Sequence, residues 1–385
     1  MKTRGLVHTL TGHAGSVNAI GITPDGLKII SSSSDCSLKV WDLKTGEVLH
    51  ALVGHRASVE AATAIFTKNN KWVVSGSYND TLRVWNLETG EEFSLGESDM
   101  VWSIAATHDG QRVITASQNG TINVWKVETW EQECTLKGHS EAVRTVAVTC
   151  DGKQIISGSS DGIIKIWKVG TWENEATFTA HTALVLAVAA TPDGKQIISA
   201  SGNNLSNENL LKVWNIEKCS RPFSSNNEYR TKNGHSGSVE VIAFTPDGKE
   251  VISASKDGNF KIWEVGTWRN KATFKGQSKS AEGIGDYDRQ KYFILEADEV
   301  NCFLHSTRNT LHLLMATTAD GKLQVWASGD ETLKVWDISA RQFIANFTGE
   351  SEIKCCAIAS DELTIVAGEA SGRLHFLRLE GTASS

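Results

Sequence analysis

A short β-branched run ending in an aromatic residue recurs along this 385-residue chain, and nothing else in the sequence constrains the fold as strongly. The run ends at Trp41 (SLKVW), Trp85 (TLRVW), Trp125 (TINVW), Trp167 (IIKIW), Trp214 (LLKVW), Trp263 (NFKIW), Trp336 (TLKVW) and Phe376 (RLHF), at separations of 44, 40, 42, 47, 49, 73 and 40. Self-similarity at this period means one small structural unit, stacked on copies of itself. Each run follows another that ends in a Ser-rich turn, as in KIISSSSD, RVITASQNG, KQIISGSSDG and EVISASKDG. Asp-Gly pairs come before these, at Asp25-Gly26, Asp109-Gly110, Asp151-Gly152, Asp193-Gly194, Asp247-Gly248 and Asp320-Gly321. Apolar and polar residues alternating between such turns predict antiparallel strands joined by hairpins. No segment carries a 3.6-residue period, so almost no helix is expected.

Each unit then holds four short strands, a to d from inside outward. One such sheet cannot bury both its faces, and stacking sheets around an axis solves that problem, which is the logic of a β-propeller. Setting aside the surplus in the three long intervals leaves about 42 residues per unit, within the propeller range. Eight aromatic strand ends predict eight four-stranded blades, with seven or nine as alternatives. Residues 1–385 form a single propeller domain on this reading, and residues 277–308 are an insertion or a degenerate blade. Asp320 to Trp326 repeats the interval from Asp330 to Trp336, so one of these two Trp residues must have a different role. The opening LVHTLTGH matches VLHALVGH at the end of the first unit. Residues 6–10 are therefore expected to be a lone outer strand that completes the last blade and removes exposed edges.

Composition excludes several functions. Lys and Arg number 38 against 45 Asp and Glu, a net charge of −7, which disfavours a nucleic-acid backbone as partner because that binding needs clustered positive charge. No apolar run reaches the ~18 residues that would span a bilayer, and no membrane association is expected. The opening MKTRGLVHTLTGH has no apolar leader core, and the seven Cys include no CxxC pair. A cytoplasmic, reducing location without disulfides or zinc is the expectation. Cys355-Cys356 should lie on an innermost strand with side chains on opposite faces.

Gly-His pairs (Gly12-His13, Gly54-His55, Gly138-His139, Gly234-His235), then Ser and Asp before a strand ending in Trp, resemble the WD-repeat (WD40) family over nearly the whole chain. That resemblance implies a buried hydrogen-bonded set in each blade. By position, the complete sets are His13, Ser33, Asp35, Trp41; His139, Ser159, Asp161, Trp167; and His235, Ser255, Asp257, Trp263. The second unit offers His55, Ser77, Asp80 and Trp85, whereas the third lacks the His and has Asn119 for Asp. Thr-Pro-Asp-Gly turns at residues 23–26, 191–194 and 245–248 and the ending GRLHFLRLEG resemble bacterial, especially cyanobacterial, arrays. Such arrays include the C-terminal sensor regions of NACHT/NB-ARC-type signalling NTPases, which implies a free-standing relative or part of a larger signalling protein.

Gly158-Ser159-Ser160-Asp161-Gly162 fits the G-x-S-x-G elbow of hydrolases. No helix follows it, and the constellation recurs at least three times where a catalytic triad occurs once per site, so the pattern is read as structural. No phosphate loop, dinucleotide fingerprint, HExxH or EF-hand pattern is present, and no cofactor or metal is expected. Register places Asn18, Glu60, Trp102, Arg144, Leu186, Glu240 and Lys354 at equivalent points near the start of strand a. Within this top-face ring, Met100, Trp102, Arg144, Leu184 and Leu186, flanked by Glu60 and Glu240, have a composition that favours protein binding. The alternative is that Trp102 packs into the channel wall. On the opposite face Trp130, Trp172 and Trp268 replace Gly46 and Gly90 in equivalent turns, as a binding rim or as local caps. The expected function is a non-catalytic scaffold or sensor for a protein or peptide. The alternative is an enzyme or small-ligand binder using the channel, though the ring above holds no His and no convincing acid-base pair.

Overall fold

A computed structural model describes residues 2–380 apart from 24, 67–70, 78–81, 96–98, 108, 203–209, 217–229, 245–247, 256, 258, 276–291, 296–313, 319–321, 328–330, 338–339, 341, 360 and 362. Among the described residues there are only strands and turns, arranged as eight sheets. In chain order the sheets span residues 17–53, 59–95, 101–137, 143–179, 185–233, 239–275, 314–348 and 353–380, and are called first to eighth below. Six of them are four-stranded antiparallel meanders; the second carries a fifth strand, Tyr292–Leu295, parallel to Val59–Phe66, and the eighth takes its outer strand from Lys2–Thr11. In the fourth, Val143–Val148, Gln154–Ser159, Ile163–Lys168 and Asn174–Thr179 pair in sequence order.

The turns explain the regularity. Before the second strand, Thr149 Oγ1 donates to Asp151 Oδ1 at 2.7 Å and accepts the Gln154 N–H at 3.1 Å, while Gly152 takes φ +66. Thr23 with Asp25, Thr107 with Asp109 and Thr191 with Asp193 repeat the arrangement. These side chains stand in for backbone partners, which is why Thr and Asp-Gly recur at fixed offsets. The two glycines of the G-x-S-x-G match have structural reasons of their own. A Cβ on Gly158 would lie 2.5 Å from Val185 of the next sheet, and Gly162, at φ +76, brings its chain against the His181 carbonyl.

The chain divides into two compact units, Asp99–Gly276 and Met1–Ser98 with Gln277–Ser385. In the first of these, the third to sixth sheets pack with inner strands side by side, and the fourth and fifth bury Ile156, Ile164, Phe178, Val185, Ile197 and Trp214 in one cluster between them. In the other, the inner strands of the seventh, eighth, first and second sheets follow one another. Cys355 and Cys356 sit on Ile353–Ile358 and point into different clusters, Cys355 with Val17 and Trp41, Cys356 with Val325 and Leu333. Burial raises the Cys356 thiol to about 12, so it acts as a small apolar residue.

The outer strand of the eighth sheet comes from the start of the chain. Lys2–Thr11 pairs antiparallel with Arg373–Glu380, Thr9 opposite His375 and Leu10 opposite Leu374, a longer strand than the expected 6–10. Leu377 takes the place of Trp in this sheet, not Phe376. It faces Ile365 as Trp41 faces Ile29, and Phe376 corresponds to Val40.

In the seventh sheet Trp336 holds the Trp position on the third strand. Trp326 holds the second-strand position that is Ser31 in the first sheet, and stacks on Trp336 at 6.3 Å. Of residues 277–308, only Tyr292–Leu295 is described. It runs parallel to Val59–Phe66, with Tyr292 opposite Ala61.

Candidate functional site

Within the sheets the His and Asp positions read from the sequence meet as expected by their types. His13 Nδ1 lies 2.9 Å from Asp35 Oδ2, His139 3.1 Å from Asp161 and His235 3.0 Å from Asp257. The serine is different from the expected one. Ser31, Ser157 and Ser253 accept the indole N–H of Trp41, Trp167 and Trp263 at 2.8–2.9 Å and bond the His Nε2 at 2.7–2.8 Å. Ser33, Ser159 and Ser255 instead donate to the carbonyls of Gly15, Glu141 and Gly237 and accept the N–H of the Asp. Both serines of a pair share a face of the strand, and only the earlier one lies within reach of the third-strand Trp.

Donor and acceptor chemistry orders this line. An indole N–H only donates, so the Ser hydroxyl accepts it and gives its own hydrogen to His Nε2, leaving Nδ1–H to donate to the carboxylate. Burial pushes His13 down against the pull of Asp35. Burial also opposes ionisation of Asp35, but hydrogen bonds from Ser37, the Ala14 N–H and His13 outweigh it and hold the carboxyl at about 2. Asp161 is held at about 2 in the same way, burial being outweighed by His139 and the backbone, and Asp257 lies below the usual carboxylate range. With Ser157 fully buried and bracketed by two partners, this is a set built to hold a sheet together and offers no nucleophile to solvent.

The second sheet keeps His55, Ser75 and Trp85, with bonds of 2.7 and 2.8 Å, while Asp80 and the Ser77 side chain lie outside the described residues. Burial first, then the charge of Arg83, drives His55 down to about 3. The fifth sheet has His181, Ser199 and Trp214, and the third has Thr115 bonding Trp125.

The top-face residues share one local cause. The inner strands of seven sheets carry a register shift, and the extra residue is Asn18, Glu60, Trp102, Arg144, Leu186, Glu240 or Lys354. A bulge of this kind re-aims one side chain out of the strict alternation. The re-aimed group then meets the turn sixteen residues later: Ser34 donates to Asn18 Oδ1 at 3.1 Å, Trp102 Nε1 donates to Gln118 Oε1 at 2.5 Å and Arg144 Nε donates to Ser160 Oγ at 2.7 Å.

Trp102 and Arg144 come together directly, the guanidinium carbon 4.0 Å from the ring centroid. Trp102 is 6% exposed and Leu186 8%, so the indole that Arg144 caps is itself buried. Met100 and Leu184 are half-buried on the loops leading into these strands. Glu60 and Glu240 occupy their bulges, but their side chains lie outside the described residues. Asn18 is consumed internally, donating to Ser58 Oγ and the Val59 carbonyl of the second sheet.

Trp130, Trp172 and Trp268 all adopt the left-handed conformation, with φ of 56, 62 and 55, at the turn position where Gly46 and Gly90 have φ 74 and 73. Trp268 is 3% exposed and the other two are half-buried. Trp172 lies 5.5 Å from the Arg112 guanidinium of the third sheet, so it reaches across to the neighbouring sheet. Arg112, in turn, is paired with Glu133 at 2.8 Å.

Known proteins place this architecture. The chain superposes on the computationally designed Ika8 protein with a TM-score of 0.72 at 24% identity, over 96% of this chain and 98% of that one, a likeness in fold. Human WD repeat-containing protein 36 is 41% identical over 46 residues, 12% of this chain and 5% of its own length. Human striatin is 30% identical over 59 residues, 15% of this chain and 8% of its own length. The chain thus spans under a tenth of the curated relatives it matches. The WD domain, G-beta repeat profile matches residues 4–42, 46–86, 91–126, 130–168, 172–215 and 226–264, more than half of the chain. With the repeated His, Ser, Asp and Trp sets and the four-stranded sheets, this chain belongs to the WD40 family of β-propellers.

Proposed function

We propose that this chain is a non-catalytic interaction module that binds a protein or peptide through the face carrying Trp102 and Arg144. The observation that carries this reading is the Arg144–Trp102 stack, a cation seated at 4.0 Å on a ring fixed by Gln118. Trp and Arg in one well-packed spot are the commonest anchors of protein interfaces. Arg144 is itself oriented by Ser160, and half-buried Met100 and Leu184 add apolar rim. An anchor already held in place loses little side-chain freedom on binding. The Ser, His and Asp groups that would otherwise invite an enzymatic reading are committed to holding sheets together. The resemblance to bacterial signalling arrays extends the proposal to a cytoplasmic sensor, free-standing or within a larger signalling protein.

The test is capture from source-cell lysate with wild-type protein beside a Trp102→Ala/Arg144→Ala variant of equal circular dichroism. A partner held by the wild type and lost by the variant supports this face. Equal capture by both moves the interface elsewhere on the molecule.

A further inference from the structure

The seam between the third and fourth sheets is plugged by Trp172, resting on the Arg112–Glu133 pair. One repeat later the same platform exists again. Gln154 stands 42 residues after Arg112 and Glu175 42 after Glu133, and Gln154 Nε2 donates to Glu175 Oε2 at 2.7 Å. The fifth sheet has Cys219 at the position corresponding to Trp172, and that residue lies outside the described ones. At this second platform is a cleft of about 370 Å³, lined by Gln154, Glu175, Lys153, Lys168, Val169 and Ile216, among others. Burial marks the same difference. Val127, two residues past its sheet's Trp, is 2% exposed, whereas its counterpart Val169 is only half-buried.

We propose that this cleft binds a planar aromatic group, and that its occupant is a tryptophan side chain presented by another polypeptide. The neighbouring seam supplies the template, an indole delivered from a tight turn onto a paired platform. The lining has the chemistry such a ring needs. Val169 and Ile216 offer apolar contact, Lys153 and Lys168 offer cations for its π face, and the Glu175 carboxylate is an acceptor for the indole N–H. The volume is at the lower end of ordinary ligand sites, fit for one bicyclic ring and a little backbone. This site is separate from the Trp102–Arg144 face and does not depend on it.

The experiment uses the full chain with Val and Ile methyl groups labelled for NMR, because two lining residues are themselves reporters. N-acetyl-tryptophanamide is the first probe, its alanine analogue the control, and a cyclic peptide presenting Gly-Thr-Trp in a turn the second probe. Saturable shifts are expected at Val169 and Ile216 with the tryptophan amide and not with the alanine one. The turn peptide should bind more tightly than the amide. Gln154→Arg, which recreates the neighbouring platform, should strengthen binding about two- to fivefold. Val169→Trp, checked for an unchanged melting curve, should abolish it, and Trp102→Ala/Arg144→Ala should leave it intact. No saturable shift, equal shifts with the alanine amide, or indifference to both Gln154→Arg and Val169→Trp would overturn the site. Binding of the free amide without the turn peptide would overturn the polypeptide occupant.

Discussion

The fourth and eighth sheets have the same four-stranded plan and almost nothing in common in their polar interiors. In the fourth, hydrogen bonds run from Trp167 to Ser157 to His139 to Asp161. In the eighth, register places Leu377, Ala367, Glu350 and Ser371 at those positions, none able to rebuild the line. A different carboxylate takes over. Glu369, at the position of Ser159, is fully buried, accepts from the Glu350 N–H at 2.8 Å, Ser351 Oγ at 3.2 Å and Ser371 Oγ at 2.6 Å, and faces His375 Nε2 at 2.8 Å. His375 reaches Thr9 of the N-terminal strand through Nδ1 at 3.1 Å. Gly349 is forced by this arrangement, since a Cβ there would meet the Glu369 carboxylate. In these two sheets a buried polar set ties the loop to the strands, and it is built from two unrelated groups of residues.

The largest effect that would break this comparison is at Glu369. Glu369→Ala leaves His375 and three donors facing a void, and should cost about 3–5 kcal/mol in urea unfolding, more than removing either serine of the fourth sheet's polar set. A loss below about 1 kcal/mol would mean that the eighth sheet does not depend on its buried carboxylate.

Acid comes next. His55 is held neutral down to about 3, whereas an unfolded His protonates near 6.5, so the unfolded chain takes up the proton first. Stability from this group is therefore complete above about pH 6.5 and falls as pH drops toward 3, by a few kcal/mol in all. Asp35 and Asp161, held at about 2, add losses only below about pH 4. Unfolding midpoints measured from pH 7 to 4 should fall less steeply in His55→Gln than in the wild type. His13 keeps part of the slope because burial pushes it the same way.

The two serines of the fourth sheet give a finer comparison. Ser157→Ala leaves the Trp167 N–H and His139 without their shared partner and should cost about 1–3 kcal/mol. Ser159→Ala loses a carbonyl acceptor and one N–H donor at a turn and should cost less than Ser157→Ala, a ranking that denaturant midpoints can settle. The smallest effect is expected at Trp172. Trp172→Gly relieves a left-handed φ, worth about 1 kcal/mol, but loses the cation contact and the apolar area of a half-buried indole, so a small net loss of about 1 kcal/mol is expected in the melting curve.

These particulars mark what could be read from the sequence. The spacing of the Trp residues, the Asp-Gly turns and the match of LVHTLTGH to VLHALVGH were enough to reach the four-stranded units and the N-terminal outer strand, because hairpin chemistry is local. The choice between Ser31 and Ser33 was not local. Both point to the same side of the strand, and only the ladder to the third strand decides which one meets the indole. Phe376 misled for the same reason, since an aromatic one residue from the expected place takes the opposite face of the strand. Trp102 and Arg144 were legible as equivalent positions, but the bulge that re-aims them leaves no mark in a pattern of alternation. The Trp172–Arg112 contact joins residues 60 apart in sequence on different sheets, and only comparison of successive repeats would have suggested it.

The pairing of Lys2–Thr11 with Arg373–Glu380 sets a schedule for synthesis. Lys2–Thr11 finds its ladder partner only after more than 360 further residues have been made, so until then it presents an open row of hydrogen-bonding groups to any passing strand. Folding of the eighth sheet is the longest-range event in the chain, slow by loop closure and late by order of translation. Between the synthesis of Lys2–Thr11 and that of Arg373–Glu380 this edge stands open, an exposure that follows from the topology alone.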